Sequence, residues 1–236
     1  RFEKLKKINI NYNPDNFSLA ETRMGNLDLS KKFNTKNFNI LVVGDSFAED
    51  LFNALNLNKH LYKGVDFFLA GNNYNLVKVD ELLKKSNMVI YSYDWSDAKL
   101  KNLESDLKKI QSINSNIAIT SSSNEYMVHS RLYTLIDYKV LFDKENFDYF
   151  GLKKQYFENR LIHSKSNINQ KLKKFTLEKK LKYLNREDFM CEILKSECDY
   201  VDKYGNKLLY DYGHYTKNGA KLFGKKIYET NWLQLN

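Results

Sequence analysis

The stretch Ile40-Leu41-Val42-Val43-Gly44-Asp45-Ser46 decides the fold. Four apolar residues in a row, halted by a glycine, an acid and a serine, read as a fully buried strand that ends in a sharp turn. Phe47, Ala48, Leu51, Phe52 and Leu55 then recur at helical spacing, so a strand over 39–43 passes into a helix over 47–57 with Ser46 at the junction. In an open α/β sheet such junctions collect chemistry, because N–H groups at the helix start face outward and favour developing negative charge. Gly-Asp-Ser alone is also ordinary turn chemistry, and a serine in this place is a common helix cap.

The same alternation continues outward. Val65-Asp66-Phe67-Phe68-Leu69-Ala70 reads as a second strand ending at Gly71-Asn72-Asn73, and Leu76, Val79, Leu82 and Leu83 mark the next helix. Met88–Tyr93 is a third strand, followed by Asp94-Trp95-Ser96 and a helix with Leu100, Leu103, Leu107 and Ile110 inward. Residues 116–120 and 181–185 supply a fourth and a fifth. Strands alternating with helices at this interval imply right-handed crossovers and a parallel sheet covered on both faces. Residues from about 125 to 180 carry aromatics and Lys without a strand pattern and read as a mostly helical insertion beside the carboxyl ends of the strands. Residues 1–37 are polar and irregular, a lead-in or wrapping segment, which leaves 38–236 as one domain.

A serine hydroxyl is a weak nucleophile until a base takes its proton, and the base needs an acceptor on its other nitrogen. The chain offers both near its end, in Asp211-Tyr212-Gly213-His214-Tyr215-Thr216. Asp211 and His214 are three residues apart, a spacing at which one compact turn can bring the carboxylate to the imidazole. Thr216 is placed to cap a closing helix in which Ala220, Phe223 and Ile227 face the core. His60, His129 and His163 have no acid at comparable spacing and read as structural or surface residues.

Composition narrows the function. No run approaches the roughly 20 apolar residues that cross a bilayer, and no signal peptide opens the sequence. A start at Arg1 without Met is read as an excised domain whose targeting segment lies elsewhere. The net charge of +9 is spread along the chain, densest from Lys171 to Lys182. That cluster reads as a solvated helix face or as an attraction to an anionic glycan or membrane surface, and no nucleic-acid signature accompanies it. Cys191 and Cys198 read either as two core thiols or as a disulfide closing a short loop. Their spacing without a His pair argues against zinc. With no nucleotide loop or metal cluster in the sequence, no cofactor and no metal are expected.

Together, the early Gly44-Asp45-Ser46 and the late Asp211 and His214 resemble the SGNH/GDSL hydrolase superfamily. The closer resemblance is to SGNH domains attached to membrane acyltransferase-3 proteins that O-acetylate bacterial surface polysaccharides. Their last block corresponds here to Cys191, Cys198, Asp211, His214, Thr216, Gly219 and Ala220. The resemblance implies a three-layer α/β/α, flavodoxin-like fold with a five-stranded parallel sheet. It also implies Ser46 as nucleophile, His214 as base and then acid, and Asp211 as the group that orients the imidazole.

The oxyanion hole it implies draws on the Ser46 N–H and on Gly71, with Asn72 or Asn73 as substitutes for a missing asparagine. The family's Gly-x-Asn-Asp block should follow the third strand, where this chain has Tyr93-Asp94-Trp95-Ser96. Asp45 is expected to brace the loop by accepting backbone hydrogen bonds. The resemblance favours the Cys191–Cys198 disulfide and a periplasmic location, tethered to the inner membrane. The implied reaction moves an acetyl group, supplied by a membrane acyltransferase domain, onto a glycan such as lipopolysaccharide or capsule. A carbohydrate acetylesterase and a non-catalytic glycan-binding module are the alternatives.

Overall fold

The computed structural model describes residues 33–71, 76–122, 149–162, 165–202, 207–210 and 213–235. In chain order these form β1 (Phe38–Gly44), α1 (Ser46–Leu57), β2 (Val65–Gly71), α2 (Leu76–Lys85), β3 (Met88–Ser92), α3 (Asp97–Gln111) and β4 (Ile117–Thr120). There follow α4 (Tyr149–Ile162), α5 (Lys165–Glu178), β5 (Lys182–Leu184), α6 (Glu187–Met190), β6 (Cys191–Glu192), β7 (Glu197–Cys198) and α7 (Lys217–Glu229).

β1 is apolar on both faces because both faces are covered: Ile40 and Val42 enter one core, Leu41 the other, and all three are fully buried. The five main strands are parallel in the order β2-β1-β3-β4-β5, the three-layer α/β/α arrangement expected from the sequence. Strand order reverses between β1 and β3, and at this switch point the register places Gly44 beside both Gly71 and Ser92. A crevice outside the carboxyl ends of the strands belongs there.

One core holds Leu51 and Leu55 of α1, Phe223 and Ile227 of α7, Tyr156 of α4 and Phe189 of α6. The opposite core holds Val79 and Leu83 of α2, Leu103 and Leu107 of α3, and Ile168 and Leu172 of α5. Each such side chain, once fully buried, contributes about 1.5–3 kcal/mol. Thus α5 sits as the crossover helix between β4 and β5, while α4 lies across the sheet from it. Both fall in the stretch read as helical, whose residues 123–148 lie outside the described residues. Lys171 and Lys179 reach across to Asp97 and Glu104 of α3 at 2.7 and 2.6 Å, so part of the basic cluster is a solvated, ion-paired helix face.

α1 and α7 approach closely. A methyl group on Gly224 would lie 2.0 Å from the Ala54 carbonyl oxygen and 2.2 Å from Asn58 Nδ2. Asn58 spans the same contact, its side-chain amide donating to Ala54 O at 2.8 Å and to Lys221 O at 3.1 Å. β6 and β7 form a small antiparallel ribbon that the sequence reading did not separate, and the Cys191–Cys198 disulfide closes it. Among the described residues no helix is long and apolar enough to cross a membrane.

Candidate active site

The site begins with a close backbone approach. A Cβ on Gly44 would fall 1.6 Å from the carbonyl oxygen of Ser92, so only glycine lets β1 end against β3 at this point. The next residue, Asp45, is the N-cap of α1, its carboxylate accepting from the Phe47 N–H at 3.1 Å. The cap is therefore the acid and not the serine. Ser46 becomes the first helical residue, half-buried, with its hydroxyl free for another task.

That hydroxyl meets the imidazole contributed from the far end of the chain. Ser46 Oγ lies 2.9 Å from His214 Nε2 across 168 residues of sequence. The imidazole stacks on Phe47, centroids 4.7 Å apart and planes 24° from parallel, and only 8% of the residue is exposed. Its segment is fixed locally: the Tyr210 N–H donates to the His214 carbonyl oxygen at 2.7 Å, and Leu209 pairs with Tyr215. Thr216 caps α7, accepting from the Gly219 N–H at 3.0 Å while its own hydroxyl donates to Lys207 O at 2.6 Å. Gly219 is required there, since a Cβ would stand 1.9 Å from Leu208 O.

Asp45 also reaches sideways. Its carboxylate accepts from the Asp94 N–H at 2.9 Å and from Lys99 Nζ at 2.7 Å, and Lys99 donates to the Asp94 carbonyl oxygen at 2.8 Å. Lys99 was not singled out in the sequence. Its signal was positional: a lysine three residues past the Ser96 cap of α3 opposes the helix dipole, which points to a local acid partner. The ammonium also lies 5.2 Å from the Tyr93 ring centroid. Burial raises the Tyr93 phenol; a hydrogen bond with Tyr91 works against that, and the nearby Asp45 and Asp106 charges add to it.

Trp95 occupies the place where the resemblance puts an asparagine donor. It is 1% exposed, its indole N–H donates to Thr120 O at 2.9 Å, and its backbone N–H donates to Ser122 Oγ at 3.2 Å. The indole N–H is thus spent on the end of β4. By contrast, no acceptor among the described residues takes the Ser46 N–H.

Of the other residues named from sequence, Gly71 ends β2 beside Gly44, half-buried. Asp211, Asn72, Asn73, His129 and His163 lie outside the described residues. His60 is exposed in the turn Lys59–Leu61. Among the described residues no group of three or more His, Cys, Asp or Glu is arranged to hold a metal ion.

A hydroxyl and an imidazole at hydrogen-bond distance, on the switch-point crevice of a β2-β1-β3-β4-β5 parallel sheet, define a class built for acyl chemistry. Residues 19–229 match the SGNH domain family, described as fused to AT3 domains, and the chain belongs to that family. Membership places it among the esterases and acyltransferases of this fold. The fold is similar to that of the periplasmic domain of a lipopolysaccharide acetyltransferase from Salmonella ser. Paratyphi A. The identity is 17%, the TM-score 0.52, and the match covers 84% of this chain and 85% of the other. A protein of the G-D-S-L family from Desulfitobacterium hafniense DCB-2 is 14% identical over 82% of this chain and 99% of its own, with a TM-score of 0.44. No curated protein sequence matches the chain.

Proposed function

We propose that the chain is a serine-dependent O-acyltransferase that moves an acetyl group onto hydroxyls of a bacterial cell-surface glycan through an acyl-enzyme on Ser46. The observation that carries this reading is the 2.9 Å contact between Ser46 Oγ and His214 Nε2. In the first half-reaction His214 takes the serine proton as Oγ attacks the acetyl carbonyl, then returns it to the leaving alcohol as the acyl-oxygen bond breaks. In the second, His214 takes a proton from the sugar hydroxyl, which attacks the acetyl-serine and releases Ser46. Asp211 is assigned the other imidazole nitrogen. The unspent Ser46 N–H is the first oxyanion donor, with Gly71 and then Asn72 or Asn73 beside it; each donor is worth about 3 kcal/mol of barrier.

The AT3 fusion of the family supports a membrane acyltransferase domain as the supplier of the acetyl group. The Salmonella relative, an acetyltransferase of lipopolysaccharide, supports a glycan acceptor and a periplasmic site. The Cys191–Cys198 disulfide suits an oxidising compartment. In this reading residues 38–236 form the domain and 1–37 lead into it.

Transfer and hydrolysis share the first half-reaction, so the deciding experiment supplies an acetyl donor with and without glycan. Acetylated glycan, lost in Ser46→Ala, is expected. Free acetate alone, unchanged by added glycan, makes the chain an acetylesterase. Glycan binding with no acetyl chemistry in the parent makes it a binding module.

A further inference from the structure

Arg186 follows β5 and α6 follows it, at the end of the sheet that carries the site, and only 1% of the residue is exposed. Burying a guanidinium costs several kcal/mol unless its donors are spent on well-placed acceptors. Nη2 donates to the Phe47 carbonyl oxygen at 2.9 Å and to Ser92 Oγ at 2.6 Å, Nη1 donates to Tyr215 Oη at 3.4 Å, and the backbone N–H donates to Ser121 Oγ at 2.8 Å. These partners belong to the exits of β1, β3 and β4 and to the segment that carries the imidazole.

Phe47 directly follows Ser46, and Tyr215 directly follows His214. One rigid, planar group is therefore bonded to the chain neighbour of each member of the reacting pair. Among the described residues it hydrogen-bonds to neither side chain of that pair. Tyr215 is fully buried, and burial pushes its phenol up to about 12, with Arg186 pulling it down and Asp50 of α1 pushing it up. It stays a neutral phenol at physiological pH, accepting from Arg186 and donating to Met190 Sδ at 3.6 Å.

We infer that Arg186 is a positioning residue: by gripping Phe47, Ser92 and Tyr215 from beneath, its guanidinium sets the spacing between Ser46 and His214. The inference rests on the reading of Ser46 as nucleophile. It follows from the stiffness of a fork that donates in fixed directions, which an ammonium cannot reproduce. A shift of about 1 Å between reacting groups costs roughly a hundredfold in rate.

The test uses the full chain, with Arg186→Lys and Ser92→Ala beside the parent. Covalent labelling of Ser46 by a fluorophosphonate, kcat and KM for 4-nitrophenyl acetate, and thermal unfolding are measured on each, with kinetics well below the melting range. Arg186→Lys is expected to label and turn over about 30- to 100-fold more slowly with KM within twofold. Ser92→Ala, which removes one of the three guanidinium anchors, is expected to lose about three- to tenfold in kcat at unchanged KM.

A folded Arg186→Lys that labels within threefold of the parent overturns the inference, as does a change confined to KM. Should Arg186→Lys fail to fold, Ser92→Ala decides, and an unchanged kcat there overturns it. A parent that is not labelled at Ser46 removes the nucleophile reading and this inference together. A labelled parent with an equally labelled variant removes the inference alone.

Discussion

At the exit of β1, Asp45 takes the capping role, which leaves Ser46 with a hydroxyl 2.9 Å from His214 and an N–H that nothing in the described residues accepts. At the neighbouring exit of β3, the Asp94 N–H goes to Asp45, the Trp95 N–H to Ser122, and the indole N–H to Thr120. Both exits stand at the same switch point and offer similar donors. One leaves the Ser46 N–H without an acceptor among the described residues, and the other spends its donors on bracing Asp45 and on the exit of β4. An exit lacking the family's asparagine can thus serve the site as a brace, with Lys99 completing it by bonding Asp45 and the Asp94 carbonyl together.

The sharpest break of this contrast is Ser46→Ala. Turnover of an acetyl ester is expected to fall at least about a thousandfold, while the thermal midpoint stays within about 3 °C, because Asp45 and not Ser46 caps α1. Gly44→Ala follows, since its methyl would meet the Ser92 carbonyl oxygen; denaturant melts should show a loss of about 3 kcal/mol. Asp45→Asn keeps a capping oxygen but discards the ion pair to Lys99. It is expected to cost about 1–2 kcal/mol of stability and about tenfold in kcat, and an unchanged kcat would show that the two exits are not coupled. Trp95→Phe should be mildest in turnover. It keeps a buried aromatic ring but loses part of the indole's volume and one hydrogen bond, about 2 kcal/mol in a melt, with activity within about twofold. A hundredfold loss there would mean that the β3 exit donates to the oxyanion after all.

The sheet was legible because its signals are local. Apolar runs ended by turn residues gave the first four parallel strands, the short Leu181–Asn185 stretch suggested the fifth, all to within a residue or so, and helical spacing gave α1, α2, α3 and α7. Ser46 and His214 were legible through their motifs, and the pairing of Cys191 with Cys198 through the resemblance. What escaped depends on contacts between distant segments. Arg186 finds Phe47 across 139 residues and Ser92 across 94, and nothing in Asn185-Arg186-Glu187 announces it. The one hint was compositional, an arginine in a chain whose cations are mostly lysine. Lys99 was hidden because an acid and a lysine far apart in sequence look like ordinary surface charges until the fold joins them. The ribbon of β6 and β7 escaped because two-residue strands carry no period to read.

Asn58 lies about 18 Å down α1 from the Ser46 hydroxyl, yet with Gly224 of α7 it determines how the two helices are joined. Ser46 opens one of these rods and His214 leads into the other, so they behave like the arms of a pair of tweezers whose rivet is a missing side chain. Wedging the rivet with even a methyl group would open the tips without touching them, and a defect in turnover would then trace to a buried helix contact that no substrate visits.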